Sequence, residues 1–374
     1  MPRTFRPPHP ATPSRRAVLG AAAGAVLLPA VGTATATAAT RGGGGGGGTP
    51  RPYRRVWDDF SGGFDADGPA ARWFHVQGGP YRADDGTVTA RRGRLTVVPP
   101  GRHPVTGEPA FSQTIPARNP SGLPGSGDHA KWLAYTSHTA SSGHPGFDAV
   151  PGQELLFQAE FTGRTHGTAG HPFGRAVRDA EDDLRLASPM LLTTDPETSV
   201  SFDFAVTNRR IYAWYGRPTF QRAALGDYAS FAHTVPLRTR RPADRHVLTI
   251  GYDIAGGVVR WLIDGREALR VNRIGHRLDR STATLDEGGR EVLVRPRQLN
   301  AGMGLLTLLD GSWPTGRGLV RLSAPEHTTY YRPSVGAPVA ERFVDERSAD
   351  GSRLFGQGAT MSVGTFTVAS RALR

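Results

Sequence analysis

The chain has 374 residues, no cysteine and a formal net charge of +12, from 45 Lys and Arg against 33 Asp and Glu. The absence of cysteine excludes disulfides, thiolate metal sites, thiol nucleophiles and iron–sulfur clusters. The charge does not indicate a nucleic-acid partner, because the first 57 residues hold eight arginines and no acid, which leaves 37 minus 33, or +4, for the remainder. Lys131 is the only lysine, which is typical of a GC-rich coding sequence rather than of a phosphate-binding surface.

Residues 1–40 have the pattern of an export signal. Arg15 and Arg16 precede an apolar run that ends at Ala30, and an alanine- and threonine-rich tract with spacings suited to signal peptidase follows. A paired arginine before a short apolar segment predicts the twin-arginine export route. Because the run is shorter than the ~20 residues that a membrane span needs, we expect a secreted protein with no transmembrane segment after signal cleavage.

Residues 41–55 are predicted to form a flexible spacer. Gly42 to Gly48 is an unbroken glycine run, and the proline-containing segment that follows it does not nucleate regular structure either. We therefore expect a single folded domain over residues 56–374, with a C-terminal extension after Pro325 as the alternative.

From Val56 onward, short apolar segments with period two alternate with Gly, Pro, Asn or Asp, which is typical of an all-β protein. The stretch from Arg175 to Leu186 is too charged for more than a turn or two of helix. The pattern predicts one large β-sandwich of two antiparallel sheets with few short helices. The predicted strands are Leu95–Val98, Trp132–Thr136, Glu154–Thr162, Ser199–Val206, Ile211–Tyr215, Val247–Tyr252, Val258–Ile263, Ala268–Asn272, Met303–Leu309 and Ser362–Ala369.

Two predicted hairpins allow the faces of the strands to be assigned. The first has its turn at Asn208 and Arg209, and the second has a two-residue Asp264-Gly265 turn, in which both residues tolerate positive φ. The register of the second pairs Ile263 with Arg266 and sets Trp261 opposite Ala268. The register of the first gives an apolar face made by the pairs Val206–Ile211, Phe204–Ala213 and Phe202–Tyr215.

The opposite face of the first hairpin carries the candidate binding residues. Ser201, Asp203, Tyr212 and Trp214 lie on it, with Asp203 opposite Trp214. Aromatic rings stack on the C–H faces of sugars and a carboxylate accepts hydroxyl hydrogen bonds, so this group predicts a carbohydrate site. The alternative is a solvated sheet face, or a second core layer in which the acid is satisfied internally.

Two segments resemble landmarks of the concanavalin A-like lectin and glucanase superfamily: the opening Arg55–Gly62 and the hairpin from Arg245 to Gly265. The whole mature chain resembles a family of exported bacterial proteins known only as a domain of unknown function, on stretches such as Gly146–Leu155 and Asp183–Ser188. The superfamily resemblance implies a jelly-roll sandwich. The family resemblance implies no particular activity.

Family 16-type glucanases of this superfamily carry their two catalytic carboxylates on one strand, with alternate residues facing the cleft. The equivalent segment here, Ser199–Val206, offers Asp203 alone. Glu197 lies six residues away, roughly 20 Å along an extended strand, whereas glycosidase carboxyls lie ~5 to ~9.5 Å apart. The hydrolytic motif is therefore absent, and a second acid has to come from another strand; the candidates are Glu154, Glu160 and Glu267.

Other constellations are weaker. The Asp65–Gly68 segment is similar to the start of a calcium loop but lacks the later ligands, so no cofactor is predicted and a structural calcium is left open. Gly125–His129 brings Ser, Asp and His together without the strand-turn-helix context of a nucleophile elbow. Five histidines in residues 119–174 match no ligand spacing, and we interpret them as loop residues, with a metal site or a histidine base as the alternative: His129, His138, His144, His166 and His171.

Three hypotheses follow for the function. The first is a secreted sandwich that binds an extracellular polysaccharide or glycan in a cleft on one sheet, through Asp203, Tyr212, Trp214 and Ser201. The second is a glycoside hydrolase or polysaccharide lyase that joins Asp203 to an acid on another strand or to a loop histidine. The third is a surface or structural protein without a small ligand, which a cleft filled by its own side chains favours.

Overall fold

The computed structural model of the protein describes residues 50–78, 81–99, 130–321, 329–353 and 358–373. The predicted export signal, the glycine run of the spacer and the Gly125–His129 segment lie outside these ranges. None of the helices within them is long and apolar enough to cross a membrane.

Strands are the main regular structure of the described chain, as the period-two pattern predicts. Two helices of one turn, α1 (Arg222–Leu225) and α2 (Asp350–Arg353), and four 3-10 turns, at Thr168–Gly170, Gly174–Ala176, Thr219–Gln221 and Arg280–Thr282, accompany them. The strands are β1 (Tyr53–Asp58), β2 (Trp73–His75), β3 (Gln77–Gly78), β4 (Tyr81–Arg82), β5 (Thr87–Arg91), β6 (Arg94–Val98), β7 (Ala130–Thr136), β8 (Phe147–Asp148), β9 (Gln153–His166), β10 (Ser188–Thr194), β11 (Ser201–Val206), β12 (Arg210–Arg217), β13 (Phe231–Thr239), β14 (His246–Asp253), β15 (Val258–Ile263), β16 (Arg266–Val271), β17 (Ala283–Asp286), β18 (Gln298–Leu306), β19 (Gly318–Val320), β20 (Phe343–Asp345) and β21 (Gly358–Ala372).

The strands form two large antiparallel sheets. Sheet 1 has eight strands in the order β16-β15-β14-β9-β21-β6-β5, with β1 also paired to β21. Sheet 2 has nine strands in the order β17-β13-β12-β11-β10-β18-β7-β2, with β8 also paired to β18. The parallel pair β19–β20 and the antiparallel pair β3–β4 lie outside them. The predicted fold class, an all-β sandwich of two antiparallel sheets with few short helices, is confirmed.

The two ends of the domain meet in sheet 1. Strand β1 begins at Tyr53, three residues before the predicted start of the domain, and pairs with β21. Strand β21 also pairs with β9 from Gly358 to Ala372. The last strand of the described chain, β21, is therefore part of the sandwich.

The main hydrophobic core lies between the two sheets. Strand β9 shows how the sequence builds it, because Leu155, Phe157, Ala159 and Phe161 alternate with outward residues and are all buried. Three tryptophans from three strands are fully buried in the same core: Trp73, Trp132 and Trp261. Burying each large apolar side chain stabilises the fold by about 1.5–3 kcal/mol, and in a cysteine-free domain this burial replaces covalent crosslinks.

One polar bond crosses this core. The indole nitrogen of Trp261, in β15 of sheet 1, donates to the backbone carbonyl of Asp203, in β11 of sheet 2, at 2.8 Å. The ring of Trp261 also makes an edge contact with Phe202, with centroids 6.0 Å apart. The bond fixes β11 against sheet 1 at the residue whose side chain is the first candidate for function.

The hairpin registers confirm most of the predicted pairs. In the first hairpin, Val206–Ile211, Phe204–Ala213, Phe202–Tyr215 and Asp203–Trp214 are all paired as predicted. The second keeps Ile263–Arg266, but Trp261 pairs with Leu269, so the predicted Trp261–Ala268 pair is wrong. The cause is a β-bulge that inserts one extra residue at this point, and Leu269 packs against the core as a result.

A buried arginine holds the long loops over the outer side of sheet 2. The segment from 175 to 186 forms turns rather than a helix, and within it Arg185 is fully buried. Its guanidinium donates to Asp183 at 2.5 and 2.8 Å, to the carbonyl of Ala176 at 2.8 Å and to the carbonyl of Arg317 at 2.8 Å. The bonds to the carbonyls of Ala176 and Arg317 tie the segment around Arg185 to two other stretches of loop.

We predict that Trp261→Phe destabilises the protein by about 2–4 kcal/mol, because it leaves a cavity and a buried carbonyl without its donor. Urea unfolding measures this directly. Leu293→Ala, at an exposed position, is the control and is expected to change the free energy of unfolding by less than about 0.5 kcal/mol. Equal stabilities for the Trp261 variant and the wild type would contradict the structural role of the bond.

Candidate functional site

The face of sheet 2 that points away from the core carries the candidate site. Phe202 and Phe204 of β11 enter the core, so Asp203 between them faces outward, and Trp214 is paired with it on β12. On β7, Trp132 and Ala134 enter the core and Tyr135 faces outward. We call Tyr135, Ser201, Asp203 and Trp214 the outer row.

Asp203 is the buried acid of this row. Only 3% of its surface is exposed, and its carboxylate accepts hydrogen bonds from Ser201 Oγ at 2.5 Å and from the backbone N–H of Thr193 at 2.8 Å. Burial raises the pKa of Asp203 to about 7, although both hydrogen bonds lower it. Near neutral pH the group therefore exchanges between a proton donor and an anionic acceptor.

Tyr135 lies flat over a neighbouring strand because the residue opposite it is glycine. A Cβ on Gly302 would come within 2.7 Å of the Tyr135 ring, so any larger residue there would displace it. Burial, together with the charge of Asp203, raises the pKa of Tyr135 and keeps its hydroxyl protonated. Among the described residues that hydroxyl has no hydrogen-bond partner, and it is a free donor.

Trp214 also lies close to a glycine, Gly216, that leaves room for its ring. Its indole nitrogen lies 3.1 Å from the position that a Cβ of Gly216 would occupy, and Gly216 is paired with Ser201. The side chain is 9% exposed, and its N–H has no acceptor in the part of the chain that the structure describes. Two rings with free donors thus flank an acid whose charge depends on pH.

Tyr212 has a different role from the one that the sequence predicts. Its side chain is fully buried, its hydroxyl donates to Asp182 Oδ1 at 2.8 Å, and its ring makes an edge contact with Trp313 at 5.4 Å. Leu184 and Leu308 pack beside it. A hydroxyl that is already bonded inside a filled layer does not face a ligand, so Tyr212 is not part of the outer row. At this end of the face, the second-core-layer alternative is correct.

The candidate second acids lie on the wrong side of the molecule. Glu154 and Glu160 project from the outer face of sheet 1, across the core from Asp203, because the residues that follow them, Leu155 and Phe161, fill the core. Glu267 lies on the same outer face, where it shares Arg260 with Glu154. Each of the three is paired with arginine: Glu154 with Arg260 and Arg371, Glu160 with Arg94, and Glu267 with Arg270. Within the described positions that flank Asp203 on β11 and β12, no second carboxylate is present.

Glu197 is engaged elsewhere too. It makes a two-pronged ion pair with Arg297 at 2.8 and 2.9 Å. This pairing lowers the pKa of Glu197, so the carboxylate stays ionised and is not suited to donate a proton.

Of the four candidate histidines that the structure describes, His138, His144 and His171 lie in loops, as predicted, and His166 ends strand β9. His138 stacks on Phe147 with ring centroids 4.2 Å apart and contacts the carbonyl of Gly146 through Nδ1 at 2.7 Å. Burial lowers the pKa of both His166 and His171. No group of three or more His, Asp or Glu side chains in the described ranges is arranged to hold a metal ion, including the Asp65–Gly68 segment.

We predict that Asp203→Asn changes how stability depends on pH. The folded chain binds the Asp203 proton more tightly than the unfolded chain, whose pKa is about 3.9, so this stabilising contribution is complete below pH 4 and is lost as pH rises through 7. The wild type should therefore lose stability relative to the variant by up to roughly 1.4 kcal/mol per pH unit in that window.

Urea unfolding of both proteins between pH 4 and 8 tests this difference. Glu267→Gln is the control, because Arg270 lowers the pKa of Glu267 and its contribution instead grows as pH rises from acid. A wild-type-minus-Asp203→Asn difference that is constant with pH would contradict the assignment.

The chain is 27% identical over 291 residues to the uncharacterized protein L829 of Acanthamoeba polyphaga mimivirus, an alignment that covers 62% of this chain and 61% of that protein. This chain therefore spans less than two thirds of the length of that relative. Among solved structures it is similar to SCLam, a non-specific endo-β-1,3(4)-glucanase from family GH16, at 8% identity and a TM-score of 0.41 over 87% of this chain and 94% of that one.

Two further solved structures are similar at the same level. One is the endo-β-1,3-glucanase from Pyrococcus furiosus, with 11% identity, a TM-score of 0.39, and coverage of 86% of this chain and 94% of that one. The other is a β-1,3-1,4-glucanase (lichenase) derived from a mouse hindgut metagenome, with 14% identity, a TM-score of 0.37, and coverage of 86% and 99%.

The family match covers nearly the whole sandwich. Residues 57–372, from within β1 to the end of β21, match a family described as a family of unknown function, DUF6081. The resemblance to such a family noted from the sequence is confirmed to that extent. The protein belongs to the DUF6081 family.

Proposed function

We propose that the protein is an exported carbohydrate-binding protein whose ligand, an extracellular polysaccharide or glycan, lies along the outer row. The observation that carries this proposal is the combination of two flattened aromatic rings with free donors, at Tyr135 and Trp214, around the buried carboxyl of Asp203. Sugar rings offer both an apolar C–H face and hydroxyls, and this arrangement matches both.

The pKa of Asp203 gives the site two ways to bind a hydroxyl. As an anion the carboxylate accepts a hydrogen bond, and as a neutral acid it donates one. The bonds from Ser201 and Thr193 hold the carboxyl in place without using all of its lone pairs. A ligand hydroxyl that reaches Asp203 thus finds an acceptor or a donor at any pH near neutrality.

The predicted export signal in residues 1–40 supports a location outside the cell. The paired arginines, the short apolar run and the small residues that follow it are typical of twin-arginine export. That route carries proteins already folded, which suits a cysteine-free sandwich that folds without disulfide formation. The bacterial and exported character of the family is part of the same proposal.

A second candidate is catalysis on the same ligand, as a glycoside hydrolase or a polysaccharide lyase. The raised pKa of Asp203 favours it, because a carboxyl that is protonated near neutral pH can serve as a general acid. If the wild type releases reducing or unsaturated chain ends from a polysaccharide that it binds, Asp203→Asn is expected to abolish release while retaining binding. A bound polysaccharide that is never cleaved leaves binding as the function.

We predict that Trp214→Phe weakens binding to the recognised polysaccharide about tenfold, because it removes the free indole N–H and part of the stacking surface. Pull-down on a panel of insoluble polysaccharides identifies the ligand, and affinity electrophoresis then measures the change. Tyr135→Phe, which removes only the hydroxyl, is expected to have a smaller effect in the same direction.

Trp57→Phe is the matched control. Trp57 is 8% exposed against 9% for Trp214, but it lies in β1 of sheet 1 and donates its N–H to the carbonyl of Arg72. Its replacement should leave the affinity unchanged. If the wild type, Trp214→Phe and Trp57→Phe are retained equally on every polysaccharide tried, the proposed site is overturned.

A further inference from the structure

A pocket lies at the base of the pair β19–β20. It is a cavity of about 580 Å³ whose walls include Arg317, Arg332, Val339, Glu341 and Arg342. Arg317 directly precedes β19, and Glu341 and Arg342 directly precede β20, so the parallel pairing of the two strands brings these side chains together. We call this cavity the arginine pocket.

The pocket wall is held rigidly. The backbone of Arg332 is joined to that of Val339 by a hydrogen bond of 2.8 Å, which closes a tight loop. The loop is fixed to sheet 2 because the N–H of Tyr331 donates to the carbonyl of Asp286 at 2.7 Å and Arg280 donates to the carbonyl of Pro333 at 2.8 Å. The cavity is therefore preformed.

The arginines of the pocket are not consumed by internal ion pairs. Arg317 donates to the carbonyl of Phe343 at 2.8 Å. Arg332 and Arg342 are exposed, and within the described residues neither guanidinium donates a hydrogen bond or lies within ion-pair distance of a carboxylate. Burial raises the pKa of Glu341, and the charge of Arg332 offsets part of this rise. Guanidinium groups bind carboxylate, sulfate and phosphate oxygens in a two-pronged geometry, so this cluster is equipped for an oxyanion.

Glu341 adds a second and different function to the pocket. It is only 7% exposed, and its Oε1 accepts from the N–H of Arg342 at 3.0 Å and from the N–H of Gly318 at 3.5 Å. Its Oε2 is buried and has no hydrogen-bond partner in the described part of the chain. A buried carboxylate oxygen without a donor is costly, and a hydroxyl supplied by a ligand would satisfy it.

An oxyanion and a hydroxyl on one small ligand are the features of an acidic sugar. The exposed methyl groups of Val339 complete the match, since they offer an apolar contact to the C–H face of a sugar ring. Gly316, in the pocket wall, follows Trp313 by three residues, and Trp313 contacts Tyr212 on the outer face of sheet 2.

We infer that the arginine pocket binds a sugar residue that carries a carboxylate or a sulfate, with Arg332 and Arg342 on the oxyanion and Glu341 on a hydroxyl. The inference rests on the proposed function, because it makes the carbohydrate ligand an acidic one. Neutral sugars lack the oxyanion, and inorganic sulfate lacks the hydroxyl, so both should bind more weakly than an acidic sugar.

Isothermal titration calorimetry with four probes tests the inference: a galacturonate trisaccharide, a sulfated galactose disaccharide, the unsulfated disaccharide and inorganic sulfate. At least one acidic saccharide should bind at least tenfold more tightly than the neutral one, and added salt should weaken its binding. Arg332→Gln and Arg342→Gln should each reduce its affinity about tenfold. Arg241→Gln, at an exposed arginine outside the pocket, should not change it.

Glu341→Gln separates a sugar site from a simple anion site. Removal of the carboxylate charge should raise the affinity for inorganic sulfate, and loss of the acceptor should lower the ratio of acidic-saccharide affinity to sulfate affinity. An unchanged ratio would reduce the pocket to an anion site and overturn the inference, as would acidic-saccharide affinities that the arginine variants leave unaltered.

The two proposals fail separately. If the arginine variants bind acidic saccharides as the wild type does while Trp214→Phe weakens polysaccharide binding, the pocket inference is overturned and the outer row stands. If the arginine variants lose acidic-saccharide binding while Trp214→Phe changes nothing, the pocket stands and the outer row is overturned.

Discussion

The hydrogen bond from the Trp261 indole to the carbonyl of Asp203 is the contact on which the position of the candidate site depends. It joins the two sheets through the middle of a core that has no disulfide, at 2.8 Å. Because it holds the backbone of Asp203 from the core side, it fixes where the side chain emerges on the other face. This interaction therefore couples the packing of the two sheets to the position of the candidate acid.

The outer face of sheet 2 carries a second core layer in which Tyr212, Tyr135 and Trp214 pack in one cluster. Around Tyr212, loops anchored by Arg185 cover the sheet with Leu184, Leu308 and Trp313, and the Tyr212 hydroxyl is bonded to Asp182. Around Asp203, two glycines let Tyr135 and Trp214 lie against the backbone, and their donors have no acceptor among the described residues. The two parts of the face therefore differ in whether the polar groups of their rings are bonded.

The fold was largely predictable because its signals are local. Period two along the strands and two short turns gave the faces of β11, β12 and β15 correctly, including the pair Asp203–Trp214. The bulge beside Trp261 was not predictable, because no residue pattern indicates where the extra residue is inserted.

The site was only half predictable. Tyr135 joins it through strand β18, which is distant in sequence, and the burial of Tyr212 depends on loops whose path follows from the buried Arg185. Pairings between distant strands and the coverage of a sheet by loops are set by the whole fold, so residue spacing does not reveal them.

The proposed carbohydrate site has a buried, readily protonated Asp203 at its centre. A ¹³C NMR titration of the Asp203 carboxyl carbon, in the free protein and with a bound oligosaccharide of the recognised polysaccharide, tests this proposal. We expect a titration midpoint near pH 7 in the free protein, which shifts when the sugar binds. A midpoint near 4, the ordinary range of an exposed Asp, with no response to any bound sugar, would contradict it.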